Sequence, residues 1–219
     1  MLNLILKDVL IQKKSILFAF GYCFFLVFAF QGLEGTAPVA ATTAVVYLLI
    51  QYSFAHEDKN KSEIMLNSLP ISRKDIVLAK YLSIFIYMGI AMLAYMLATL
   101  IVMAMKIPVK VQFISLEGIT TSLFLVSLMT SVYLPVIFKF GYLKAKMFNM
   151  MMFLLFFFIP MGIVTLYKNS EPDSSIKNAL NGMATWSQWQ IALLIAAISL
   201  LMMYVSYYIS VKIYNNREF

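Results

Sequence analysis

The chain has 219 residues, of which 62% are hydrophobic and 12% are charged, and its formal net charge is +7. Soluble domains average about 25% charged residues, so the composition excludes an ordinary soluble domain. We interpret the basic excess as a signal of membrane orientation that is compatible with contact to anionic lipid. It does not indicate nucleic-acid binding.

Six stretches of the chain are apolar and long enough to cross a bilayer as helices of about 20 residues. They are Ser15–Gln31, Pro38–Ala55, Ile76–Met105, Glu117–Phe138, Met147–Tyr167 and Trp186–Val211. The sequence therefore predicts an all-α polytopic membrane protein with six transmembrane helices and a single transmembrane domain over residues 1–219. An even number of spans puts both termini on the same side of the membrane.

The distribution of charge between the predicted loops indicates which side that is. Thirteen of the 17 Lys and Arg residues and six of the ten acidic residues fall on the side of the termini. The whole net charge of +7 therefore lies on that side. Because inner loops carry an excess of Lys and Arg, the sequence predicts a multi-pass protein of the cell membrane with both termini cytoplasmic.

The segment before the first span has an amphipathic pattern. Its apolar residues recur at i, i+3, i+4 and i+7, and they are Leu2, Ile5, Leu6 and Val9. This spacing predicts an N-terminal helix lying in the inner membrane interface, with its lysines among lipid headgroups. A simple basic flank that orients the first span would have the same composition.

The start of the chain also has the composition of a signal peptide, because basic residues precede the apolar run Ile16–Phe30. That run is at the long edge for the apolar region of a signal peptide. The small-residue stretch near Val39–Ala41 lies well past the run. We therefore expect Ser15–Gln31 to be a retained span.

The residue types argue against several kinds of chemistry in this chain. No ionisable residue is predicted deep in a span, since Lys80 and Glu117 lie near span ends, which disfavours a proton-coupled carrier or an intramembrane enzyme. One histidine, His56, and one cysteine, Cys23, cannot form a His/Cys metal cluster. No G-x-x-x-x-G-K-[S/T] pattern occurs. We expect no catalytic residue, no metal site and no cofactor in the chain itself.

The most informative segment is the predicted inner loop His56–Tyr81, which mixes many charges with a small apolar set. Glu63–Leu69 is predicted to form a short helix that ends at Pro70, with Ile64, Met65 and Leu69 able to share an apolar side. Such a helix across the inner mouth of a span could dock on a soluble partner. It could equally rest on lipid, and composition does not separate these alternatives.

A second helix is predicted to start directly after the proline. Ser72 is a natural N-cap, and Asp75 stands three positions on, as in a capping box with Asp in place of Glu or Gln. Ile71 and Ile76 occupy the two hydrophobic-staple positions. The loop is therefore predicted to be a short helix, a proline corner and a fixed entry into the third span.

The stretch Glu57–Tyr81 resembles the inner-loop signature of a family of small six-span ABC exporter permeases. It has an acidic start, then Lys-Asn, Ser-Leu-Pro-Ile-Ser-Arg, Ile-Val and Lys-Tyr. These are ABC-2-type permeases with the type V exporter fold, similar to those that export antimicrobial peptides and peptide toxins. In them the loop between spans two and three holds a coupling helix that contacts the ATPase subunit. The resemblance assigns that contact to Glu63, Ile64, Met65, Leu66, Asn67, Ser68 and Leu69, and a hinge to Pro70, Ile71, Ser72, Asp75 and Ile76.

The resemblance implies a permease subunit of an ATP-driven exporter that moves a peptide, toxin, antibiotic or lipophilic compound outward. Its partners would be two copies of an ABC ATPase, which bind the ATP and Mg, and a second copy of the permease or a sister permease. The short outer segment Lys168–Thr185 departs from larger relatives and implies a reduced extracellular part. The alternative is a non-transporting immunity or sensor protein that binds a peptide, and copurification of an ATPase would separate the two.

Overall fold

The computed structural model describes residues 2–30, 36–68, 70–109, 111–148, 150–152, 154 and 187–217. Seven helices are named here: α1 (Leu2–Ile11), α2 (Lys13–Ala29), α3 (Ala37–Lys59), α4 (Ser62–Ser68), α5 (Arg73–Ala104), α6 (Leu116–Phe140) and α7 (Gln188–Asn215). Residues 142–148 are also helical, and the described ranges contain no strand. The all-α prediction is therefore confirmed for the described part of the chain.

Four helices, α3, α5, α6 and α7, are long and apolar enough to cross a membrane. The pair α1 and α2, bent by 60° at its junction, makes a fifth if it is counted as one span. Five of the six predicted spans thus correspond to helices, and the remaining one, Met147–Tyr167, lies mostly outside the described residues. The structure supports four or five spans and does not establish six.

Local capping determines where the long helices begin. Ser115 Oγ accepts a hydrogen bond from the Gly118 N–H at 3.1 Å at the start of α6. Ser187 and Gln190 form a reciprocal capping box at the start of α7. Each cap satisfies backbone donors that the first turn of a helix leaves unpaired.

Helix α5 is the centre of the packing, with α1, α2, α3 and α7 all against it, while α6 and α7 form the most extensive helix pair. Its 32 residues span about 48 Å, more than the roughly 30 Å hydrocarbon core. Ala91, Ala94 and Ala98 are all buried on α5, and such small side chains let helix backbones approach closely. The length of α5 extends its ends beyond the hydrocarbon.

Candidate functional site

The site predicted from the sequence is the reversal of the chain between α3 and α5. Lys61 adopts a left-handed conformation with φ of 50°, and the Asn60 and Lys61 N–H groups bond back to the His56 and Asp58 carbonyls at 3.1 and 3.2 Å. This left-handed C-terminal turn ends α3. The seven-residue helix α4 follows this turn and packs against α3.

Helix α4 points one large apolar side chain inward and another outward. Leu66 is 7% exposed and belongs to the hydrophobic core, whereas Met65 is 66% exposed. Consecutive residues of an α-helix are separated by about 100°, so burying Leu66 turns Met65 away. Among the described side chains of α4, Leu66 is the anchor, and the shared apolar side of Ile64, Met65 and Leu69 stays a prediction. The side chains of Ile64 and Leu69 lie outside the description.

A groove of about 490 Å³ runs between the start of α1, α4 and the corner before α5. Its lining residues are Asn3, Leu4, Lys7, Met65, Leu66, Pro70, Ile71, Ser72 and Asp75. The predicted coupling and hinge residues that the structure describes there thus share one surface with α1. Sequence spacing alone did not indicate this contribution from α1.

The corner before α5 has the predicted cap. Ser72 is extended, with φ of −67° and ψ of 140°, and its Oγ accepts from the Asp75 N–H at 3.2 Å. Ile76 is buried and Ile71 packs against the core, so both predicted staple positions are in apolar surroundings. The N-cap prediction is confirmed, and the corner is held at both its backbone and its side chains.

Four charged side chains meet beside this corner, and we call them the ionic cluster: Lys7, Asp8, Glu57 and Lys80. Lys80 Nζ lies 2.9 Å from Asp8 Oδ2 and 2.8 Å from Glu57 Oε1. Lys7 Nζ lies 2.8 Å from the same Glu57 oxygen and 3.2 Å from Asp8 Oδ1. Two cations and two carboxylates alternate, so the cluster is neutral. It joins α1, α3 and α5 at one level.

Hydroxyl and amide groups complete the surroundings of the ionic cluster. Lys80 Nζ donates to Ser53 Oγ at 3.3 Å, and the Tyr87 hydroxyl donates to the same oxygen at 3.3 Å. Gln12 Nε2 donates to the Tyr87 hydroxyl at 2.8 Å. Since removing charges from water is costly unless they are paired and hydrogen-bonded, this network explains how Lys80 can be only 7% exposed.

The ionic cluster changes the interpretation of α1. Ile5 and Asp8 are buried on α1, as is Gln12 directly after it, whereas Leu6 and Leu10 are each 53% exposed. Asp8 therefore faces the protein while Asn3 is exposed, and Lys7 pairs with Glu57 where we expected it among headgroups. The helix exists as predicted, but its placement in the interface is not shown. The sequence pattern of α1 did not indicate this pairing, because Glu57 comes from α3 and lies 50 positions further along the chain.

Sequence reasoning missed the cluster because its members are far apart in the chain. Lys7 and Glu57 are separated by 50 positions, and each residue alone is an ordinary charge near a span end. One signal was present: Asp8 and Gln12 stand at i and i+4, a spacing that puts two side chains on the same side of a continuous helix. A polar stripe on an otherwise apolar helix indicates a polar partner inside the protein.

A second, smaller cavity of about 180 Å³ lies on the other side of Leu66. It is lined by Phe54, Glu57, Asp58, Lys61, Leu66, Ile76, Lys80, Ile137, Phe138, Gly141, Tyr142 and Tyr214. Leu66 therefore borders both the groove and a cavity that reaches Glu57 and Lys80 of the ionic cluster. Among the described residues, no group of three His, Cys, Asp or Glu could hold a metal ion.

The packed helical membrane fold with its capped corner defines a polytopic membrane subunit. The family model described as ABC-2 family transporter protein matches residues 3–215. The chain therefore belongs to the ABC-2 transporter family, as the resemblance of Glu57–Tyr81 indicated. Members are membrane subunits that are normally non-catalytic, with an ABC ATPase as a separate partner subunit. No curated protein and no solved structure matches the chain.

Proposed function

We propose that this chain is the permease subunit of an ATP-driven exporter and that its ATPase partner acts on it through α4 and the adjoining groove. The observation that carries the proposal is the exposure of Met65 on a helix that Leu66 anchors in the core. Lys7 and Asp75 flank the groove beside it. An exposed apolar side chain next to an open groove with charges of both signs suits docking of a soluble protein.

The strength of the docking contact would come from the apolar part of this surface. Burying a side chain such as Met65 contributes about 1.5–3 kcal/mol, whereas an exposed ion pair contributes about 0–1 kcal/mol. The charged residues around the groove would orient the partner more than they bind it. The residues from 63 to 69 are accordingly proposed as the contact and the corner from Pro70 to Ile76 as the hinge.

The path from this contact into the membrane is short. Leu66 ties α4 to the core, the Ser72 cap fixes the first turn of α5, and α5 continues from there for 32 residues. A displacement of α4 is therefore expected to tilt or shift α5 as a unit, because packed elements move as rigid bodies.

The finer assignments rest on the resemblance to small exporter permeases. We propose outward transport of a peptide, toxin, antibiotic or lipophilic compound, cytoplasmic termini, and a complex of two permeases with two ATPases. Native mass measurement of the membrane complex is expected to give that two-to-two composition. One permease bound to one ATPase in an active complex would contradict the paired arrangement.

The test of the docking surface is copurification of the co-expressed ATPase with permease variants at equal membrane abundance. Met65→Asp is expected to weaken retention about 10- to 100-fold, since about 1.5–3 kcal/mol is lost and each 1.4 kcal/mol is tenfold. Met105→Asp makes the same change at the far end of α5, where Met105 is also exposed, and is expected to retain the ATPase. Lys61→Ala is expected to have a small effect.

Three outcomes would count against this assignment. Normal retention of the ATPase by Met65→Asp would mean that α4 rests on lipid. Equal loss in Met105→Asp would point to a general defect. Failure of the unsubstituted permease to retain any ATPase would favour the non-transporting immunity or sensor alternative.

A further inference from the structure

The first residue of α5 holds the end of α7. Arg73 Nη1 donates to the backbone carbonyl oxygens of Tyr214, Asn215 and Arg217 at 3.2, 2.8 and 3.2 Å. The last carbonyls of a helix lack intrahelical partners and carry partial negative charge. A guanidinium satisfies several of them at once, so Arg73 caps α7 from a different helix.

The end of α7 in turn holds the end of α6. Arg217 Nη1 donates to the Phe138 carbonyl oxygen at 3.2 Å. Helix α6 ends at Phe140, and its C-cap residue Gly141 has a φ of 77°, which glycine adopts without steric cost. A Cβ at this position would lie 3.4 Å from Arg217 Nη2. The two arginines therefore link the corner, α7 and α6 in series.

A second link lies about two turns further along α5. The Tyr81 hydroxyl lies 2.6 Å from Ser206 Oγ and 2.9 Å from Ser210 Oγ, and Ser206 Oγ donates to the Ser131 carbonyl of α6 at 2.7 Å. Each hydroxyl has one proton, so Ser206 has none left for Tyr81. Tyr81 must then donate to Ser206 and accept from Ser210. The buried chain of bonds runs from α5 through α7 to α6.

We propose that Arg73 and Tyr81 are positioning residues that make α7, and α6 behind it, follow α5 when a partner acts on α4. This role rests on the proposed function and adds the contacts through which a displacement of α5 would reach α7 and α6. Two attachments at different heights resist both sliding and rotation between two helices, which a single contact does not. Lys80, the residue before Tyr81, ties α5 to α1 and α3 through the ionic cluster.

Adjacent residues of α5 thus contact different sets of helices. Lys80 and Tyr81 are about 100° apart around the helix, and both are buried. One makes ion pairs with the N-terminal helices and the other makes hydroxyl bonds with the last helix. The first three turns of α5 therefore contact both α1 and α3, through Lys80, and α7, through Tyr81. A displacement of α4 that moves these turns is expected to reach both groups of helices.

The test measures hydrogen–deuterium exchange of the complete permease–ATPase complex in lipid nanodiscs, free of nucleotide and trapped with ATP and vanadate. The readout is the difference in deuterium uptake between the nucleotide-free and the trapped state, in residues 73–79 of α5 and in residues 208–217 of α7. Both segments are expected to change in the unsubstituted protein. In the double variant Arg73→Ala/Tyr81→Phe, the change in α5 is expected to persist and the change in α7 to be lost.

The matched control is Lys74→Ala/Tyr208→Phe, which removes the neighbouring positive charge of α5 and an exposed tyrosine hydroxyl of α7. It is expected to keep both changes. Tyr81→Phe alone removes one hydroxyl with its shape preserved, and Arg73→Lys restores a cation at the end of α7. Each is expected to keep part of the α7 change, which a merely destabilised protein would not show.

The outcomes separate this inference from the function on which it rests. If α7 still changes fully on trapping in the Arg73→Ala/Tyr81→Phe variant, the positioning roles are overturned while the docking proposal stands. If the ATPase is not retained, or trapping changes neither segment of the unsubstituted protein, the proposed function and this inference both fail.

Discussion

Lys80 shows how much a single residue in this molecule depends on distant partners. Its ammonium group is paired with Asp8 from α1 and Glu57 from α3, and it lies 5.0 Å from the centre of the Phe54 ring. Replacing a whole buried ion pair by apolar groups is often neutral for stability, but removing one partner leaves a buried charge uncompensated. The cluster is therefore sensitive to single changes.

Lys80→Met is expected to destabilise the protein by about 3–5 kcal/mol, because Asp8 and Glu57 would be left sharing Lys7. The measurement is unfolding of the purified permease in detergent, by heat or denaturant. Adding Asp8→Asn to the variant leaves the neutral pair of Lys7 and Glu57 and is expected to recover part of the loss.

The control for this prediction is Lys13→Met, which removes an exposed lysine from the start of α2. Exposed substitutions usually change stability by about 0.5 kcal/mol or less. Equal unfolding of Lys80→Met and Lys13→Met would show that the ionic cluster does not stabilise the junction of α1, α3 and α5.

The sequence predicts a side-chain interaction of this kind only where the two partners lie a few positions apart in the chain. The Ser72 cap was predictable because its acceptor and donor lie three positions apart. The pairing of Lys80 with Asp8 and Glu57 was not, since it depends on how three helices pack and not on any repeat in the chain. Lys80 and Glu57 lie near the ends of predicted spans, where charged residues are common, so their positions did not indicate a buried cluster.

At the level of elements, the corner between α4 and α5 joins a short helix with little stability of its own to a long helix whose first turn is capped by Ser72. A seven-residue helix is too short to be stable in isolation, so packing at Leu66 must hold it. The direction of α4 was therefore not predictable from its own apolar residues. The existence of a separate short helix was predictable, because Pro70 interrupts the helical segment and Ser72 caps the next helix.

Ser72→Ala is expected to cost about 1 kcal/mol, because the Asp75 N–H loses its acceptor. Ser115→Ala removes an equivalent cap from α6 and is expected to cost about the same. The two variants should differ in retention of the ATPase, which only Ser72→Ala is expected to weaken.

Ser72→Asp provides the rescue for this comparison, since Asp is also a favourable N-cap. Thermal unfolding and ATPase copurification of the three variants give both quantities. Equal retention by Ser72→Ala and Ser115→Ala would mean that the corner does not orient α4 for its partner.

At the level of the whole molecule, the number and direction of the spans rest on different signals. Hydrophobic length located α3, α5, α6 and α7 well, because long apolar runs have few other stable forms. It was less suited to the N-terminus, where the bend at Gln12 divides the helical segment into α1 and α2. The charge distribution supplies the direction, which the fold by itself does not.

Cysteine accessibility in intact cells tests that direction. Lys59→Cys at the end of α3 is expected to react with a membrane-impermeant maleimide only after permeabilisation, and Met105→Cys at the far end of α5 is expected to react without it. Both side chains are exposed, and the native Cys23 is fully buried, so the unsubstituted protein serves as the background. Labelling of Lys59→Cys in intact cells would reverse the orientation.

The positions of the links along the chain also set an order of maturation. All four members of the ionic cluster are present once residue 80 has been synthesised. The carbonyl groups that Arg73 binds belong to residues 141 to 144 positions later in the chain. At synthesis rates of about 5–20 residues per second, that interval lasts on the order of 10 s. A nascent chain can therefore complete the ionic junction of α1, α3 and α5 while the first turn of α5 is still unattached to α7. The junction that joins the first helices is thus available to form before the contacts that would pass motion from α5 to α7.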